Sequence, residues 1–133
     1  MSMSPVTKQS ALQYYAASRV AAGVAMFAAP RAAGRAWIGS EGTRAQVSII
    51  TRSFAIRDVS IGLGTWRAAV QRDHMTVWLQ AALLADLGDL VSALCSPKSN
   101  RRLLLAAFAA VGVAADLLSL NWAEETGGSE GSS

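Results

Sequence analysis

Seven ionisable side chains stand inside otherwise apolar stretches of this 133-residue chain: Arg19, Arg52, Arg57, Asp58, Asp86, Asp89 and Asp116. Asp86 and Asp89 come three apart in LADLGDLVSAL, so both carboxylates fall on one helix face. Arg57 and Asp58 are neighbours in FAIRDVS. A carboxylate in an apolar medium is stable when it takes a proton, faces an arginine or holds a ligand. An arginine there pairs with a carboxylate or with an anionic group. The chemistry open to this set is therefore ion pairing, proton exchange and the binding of a small polar or charged ligand.

Other reactive residue types offer less. Asp58, Asp86 and Asp89 could face a divalent cation, but the arginines beside them compete for the same oxygens, and no metal site is expected. His74 has no second His or Cys to complete a zinc site. Cys95 is the only cysteine, which excludes an internal disulfide, and it reads as a small buried residue. The GLG at 62–64 lacks the strand and following glycine of a dinucleotide loop. The serines have no nucleophile-elbow setting. No catalytic set and no cofactor are expected, and the reading leans away from an enzyme.

The elements that carry the charges are four stretches of membrane-spanning length, 11–30, 45–66, 75–95 and 103–122. Each holds one to three charges and would span about 30 Å as a helix. The last, LLLAAFAAVGVAADLLSLNW, is apolar on every side except at Asp116, whereas a soluble amphipathic helix shows a broad polar face. The composition agrees: 52% of residues are hydrophobic and mean hydropathy is +0.30. A net charge of +3 does not point to nucleic acid, because the basic residues are scattered between apolar stretches. Arg19 interrupts the first stretch, which reads as a retained helix rather than a signal peptide.

These features predict an all-α, integral membrane four-helix bundle with up-down-up-down topology. Residues 1–10 read as a frayed polar segment, 11–122 as the four-helix domain and 123–133 as a disordered acidic Gly/Ser tail. RAAGRAWIGSEGTR reads as a connection broken by glycines, and Asn100 as the N-cap of the last helix. The first and third connections carry Arg31, Arg35, Arg44, Lys98, Arg101 and Arg102; the other side has Lys8, Arg67 and Arg72. That excess puts those two connections in the cytoplasm and both termini outside a multi-pass cell-membrane protein. Trp66, Trp78, Trp122, Tyr14 and Tyr15 then form an aromatic belt at the outer interface.

A lone charge at the centre of a membrane helix costs roughly 2.5–3.5 kcal/mol, so the seven must face inward and pair. Depth along the helices suggests Arg52 with Asp89, Arg57 or Arg19 with Asp86, and Arg19 with Asp58 or Asp116. Gly23, Gly62, Gly112 and Ala82 each stand one turn from a charge and let helices approach. Three arginines face four aspartates, and Asp116 reads as the carboxylate without a partner, held protonated or by a ligand.

SRVAAGVAMFAAP, IRDVSIGLGT and LLADLGDLVSAL together resemble a family of small, uncharacterised four-helix membrane proteins. That family is common in actinobacteria, also seen in fungi, and known as a domain of unknown function. The resemblance covers roughly residues 11–120 and falls on Arg19, Gly23, Pro30, Arg57, Asp58, Gly62, Asp86 and Asp89. Asp116 and Arg52 are outside its pattern. More distantly, the architecture is similar to DoxX-like membrane proteins, some of them linked to redox or quinone-associated complexes.

Three functional readings follow. The first is a structural or accessory membrane component whose buried Arg/Asp network sets helix register, with the lipid bilayer and other membrane proteins or a second copy as partners. The second is a small proton-coupled carrier or ligand-binding protein; unbroken helices count against it. The third is a redox or quinone-associated protein, implied only by the DoxX likeness.

Overall fold

The computed structural model describes residues 4–71, 73–95 and 101–127. Among these, all regular structure is helical: α1 (Pro5–Ala28), α2 (Pro30–Ile38), a 3-10 turn (Gly39–Thr43), α3 (Ala45–Gln71), α4 (Met75–Cys95) and α5 (Arg102–Gly127). Met1 to Met3, Arg72, the 96–100 segment with Pro97, Lys98 and the expected cap Asn100, and the 128–133 end of the acidic tail lie outside the described residues.

Local chemistry sets the helix ends. The Ser4 hydroxyl accepts the Thr7 N–H at 3.3 Å, and Pro5 occupies the first turn, where its missing N–H costs nothing. Hence α1 starts six residues before the expected position 11. Pro30 cannot continue α1 and starts α2 instead, with Ala29 (φ −125, ψ 58) as the break. The expected glycine-broken loop is thus a fifth helix and a turn. Gly39 (φ 81) ends α2 in the left-handed region, which suits glycine. Gly34 and Gly42 bring α2 and the turn together backbone to backbone, leaving no room for a side chain at either. At the far end α5 runs past Trp122 to Gly127, with Glu125 tied to Lys8 of α1 and to Asn121.

The four long helices alternate in direction. Gly23 meets Ala55 while Gly62 meets Ala16, so α1 and α3 are antiparallel. Trp78 lies against Gly64 while Asp89 meets Arg57, which sets α4 antiparallel to α3. Lys8 with Glu125 and Tyr15 with Asp116 set α5 antiparallel to α1. Arg101 donates to the Arg35 and Ala36 carbonyls, so the first and third connections meet at one end. Gln9 reaches the Ala69 carbonyl at the other.

The core is small-residue and polar: Ala16, Ala55, Ala82, Leu79, Thr65 and Asp116 are fully buried. Many large apolar side chains point outward, with Leu84 74% and Phe108 72% exposed, while Leu12, Ile61 and Leu79 are buried. Helices α4 and α5 are each long and apolar enough to cross a membrane. Cys95, expected inside, is exposed at the end of α4.

Candidate functional site

Six of the seven charged residues converge midway along the long helices, and one does not. Arg19 of α1 sits at the centre. Its Nη2 donates to Asp86 Oδ1 at 2.8 Å and to Asp58 Oδ1 at 3.1 Å. Its Nη1 donates to Asp86 Oδ2 at 3.0 Å and to the Tyr15 hydroxyl at 2.8 Å, with Asp116 Oδ1 further off at 3.4 Å. One guanidinium therefore faces a carboxylate from each of α3, α4 and α5. The fork-to-fork contact with Asp86 is bidentate, the strongest and most directional form of this pair.

Arg57 of α3 forms the second node. It holds Asp89 bidentately, at 2.7 and 3.0 Å, and reaches Asp58 at 3.4 Å. Asp58 thus links the two nodes. Asp86 and Asp89, three apart on α4, serve one node each, because their shared face looks toward both α1 and α3.

One expected pairing changes, and one resolves between its two alternatives. Asp89 goes to Arg57 and not to Arg52. Arg52 instead donates Nε to the Phe27 carbonyl at 3.3 Å, lies over the Phe27 ring and is exposed. It is five residues, more than a turn, from Arg57, and so comes off a different side of α3. Asp86 goes to Arg19 alone among the arginines within hydrogen-bond range. With Arg52 outside, the cluster holds two arginines and four aspartates.

Sequence reasoning missed Tyr15. Its place beside Tyr14 suggests the aromatic belt, but only Tyr14 (79% exposed) faces outward. The Tyr15 hydroxyl donates to Asp116 Oδ1 and accepts from Arg19. The signal was available, since Tyr15 precedes Arg19 by four residues and so shares its helix face. Asp116 itself is completely buried, and its Oδ2 has no hydrogen-bond partner. Asp86 Oδ2 lies against Gly112, one turn before Asp116 on α5.

Glycines make the cluster possible. A Cβ at Gly23 would lie 2.7 Å from the Ala55 carbonyl oxygen, and one at Gly62 2.9 Å from that of Ala16. Both contacts flank Arg19 and hold α1 close enough to α3 for Arg19 to reach Asp58. Near the end of α5, beyond Trp122, Lys8 hydrogen-bonds Glu125 and holds its carboxyl below the usual glutamate range. His74 pairs with Asp73 at 3.2 Å in the exposed turn, far along the chain from the cluster.

The new register is testable. Arg57→Gln and Asp89→Asn should show a coupling of about 0.5–1 kcal/mol in a double-mutant melting cycle, modest because both side chains are partly open. The parallel cycle of Arg52→Gln with Asp89→Asn should show none. Coupling in the second cycle and not the first would restore the pairing that depth alone suggested.

Compared with known proteins, the chain matches no family model, no curated protein and no solved structure.

Proposed function

We propose that the chain is a multi-pass integral membrane protein, an up-down-up-down four-helix bundle, acting as a small structural or accessory membrane component. Arg19 carries the reading. One side chain bonds Asp58 and Asp86 on two other helices directly, and reaches Asp116 on a third through Tyr15. A buried network of this kind can set helix register, because a helix rotated or slid by one turn leaves a charge without a partner. The inverted distribution of side chains supports a lipid setting: Leu, Ile, Val and Phe face out around a polar centre. The excess of Lys and Arg in the first and third connections supports a cytoplasmic position for both, with the termini outside. On this reading the partners are the bilayer and either other membrane proteins or a second copy.

We also propose membership in the family that the sequence resembles. Arg19, Arg57, Asp58, Asp86 and Asp89 meet in one cluster, and Gly23 and Gly62 line the helix contact beside it.

Alkaline carbonate extraction of expressing cells tests the membrane assignment. The protein should stay with the pelleted bilayer, and release into the supernatant would overturn it. Cys95 then reports orientation, being the sole cysteine and exposed. A membrane-impermeant maleimide should label it only after the cells are opened; labelling of intact cells would reverse the topology.

A further inference from the structure

Counting donors around Arg19 isolates one carboxyl group. A guanidinium has two hydrogens on each Nη and one on Nε. The Nη2 pair goes to Asp58 and Asp86, and the Nη1 pair goes to Tyr15 and Asp86. The Nε hydrogen is buried and makes no hydrogen bond. Asp116 has only a share in Nη1 at 3.4 Å, the longest of the Arg19 contacts. Its close donor is the Tyr15 hydroxyl, on Oδ1, the same oxygen that Arg19 Nη1 reaches at 3.4 Å.

The other three carboxylates are each held by a guanidinium nitrogen at 3.1 Å or less. Asp116 alone is completely buried, with a carboxylate oxygen that has no donor at all. An ion in that position would carry a burial cost at Oδ2 that no donor offsets. The carboxyl of Asp86 lies beside it: its Oδ2 rests on Gly112, one turn before Asp116, and both carboxyls meet Arg19 Nη1. Two ionised carboxylates do not share such a contact, whereas an acid and a carboxylate do.

We propose that Asp116 is a carboxylic acid and that the Asp86–Asp116 pair is a buried proton-binding site. Binding forms an O–H bond at Asp116 Oδ2, which donates to Asp86. Release breaks that bond and leaves one further negative charge in the cluster. The groups facing the proton are Tyr15 and Arg19 from α1, Asp58 from α3 with Arg57 behind it, and Asp86 from α4. The site gives the cluster a reversible ligand, the proton, in addition to its hold on the helices. It goes beyond the scaffold reading and does not depend on the membrane assignment, since the burial lies within the protein itself.

Infrared spectroscopy of the purified protein at neutral pH tests it. A carboxylic-acid C=O band should be present, shift in D2O, persist in Asp89→Asn and disappear in Asp116→Asn. The Asn amide can donate to Asp86 and accept from Tyr15 as the acid does, so Asp116→Asn should melt within a few degrees of the parent. Should that variant fail to fold, Tyr15→Phe serves: it removes the hydrogen bond to Oδ1, and the band should move to higher frequency. No acid band, a band that survives Asp116→Asn, or one unmoved by Tyr15→Phe would overturn the proposal. A band that sodium chloride abolishes at fixed pH would overturn it too, in favour of a metal cation.

Discussion

Arg19→Gln is expected to be the most destructive single substitution in the chain. Among the described residues it removes the only cation bonded to Asp86 and the nearer of two beside Asp58, and it withdraws the donor that orients Tyr15. Breaking a buried pair by deleting one partner costs about 3–5 kcal/mol, because the remaining charge stays buried. Here Asp86 is stranded and Asp58 keeps only Arg57 at 3.4 Å, so the upper part of that range applies. A domain of this size has only about 5–15 kcal/mol of stability to lose. The variant should be nearly missing from the membrane fraction, and the remainder should melt far below the parent. Arg19→Lys should not rescue it, since a single ammonium cannot meet Asp86 bidentately while bonding Asp58 and Tyr15. A parent-like melting curve for Arg19→Gln would show that the cluster contributes little to holding the helices.

The second large effect is steric. At Gly62 a Cβ would lie 2.7 Å from Val20 Cγ2, 2.9 Å from the Ala16 carbonyl oxygen and 3.0 Å from the Val20 nitrogen. Two of those atoms are backbone and cannot swing away, so α1 itself must shift. Gly62→Leu should cost about 1–3 kcal/mol from overpacking alone. It should cost more if Arg19, which lies between Ala16 and Gly23 on the displaced helix, loses Asp58. Gly88 supplies the control: nothing lies within 4 Å of a Cβ built there. Gly88→Ala should stabilise α4 by about 0.5–1 kcal/mol through helix propensity. Thermal melting of both variants separates the close contact from the mere presence of glycine. Equal melting temperatures would remove the glycine seam from the account.

The two predictions meet in one structural logic. The helices approach closely because Gly23 and Gly62 have no side chain, and the close approach brings the guanidinium of Arg19 within reach of three other helices. Neither feature works alone. A wider seam would leave the arginine short, and an uncharged centre would give the seam nothing to register against.

Much of this could be read from residue types. The helical class follows from long apolar stretches without strand or hairpin signals, and the inward direction of the charges follows from what an unpaired ion costs in an apolar medium. Counting three arginines against four aspartates left one carboxylate over, and with Arg52 outside the cluster the count leaves two. Local rules also had answers that were missed: Ser4 and Pro5 are a ready N-terminus for α1, and Pro30 can open a helix as well as close one. What the chain alone determined were the identities of the groups, their depths and their intervals along each helix. Partner choice was left to the tertiary structure, because depth is one coordinate and pairing needs the rotation of each helix about its axis as well. That rotation is set by contacts between helices, chiefly Gly23 against Ala55 and Gly62 against Ala16. It turned Arg52 out toward Phe27, gave Asp89 to Arg57 and brought Tyr15 in beside Asp116.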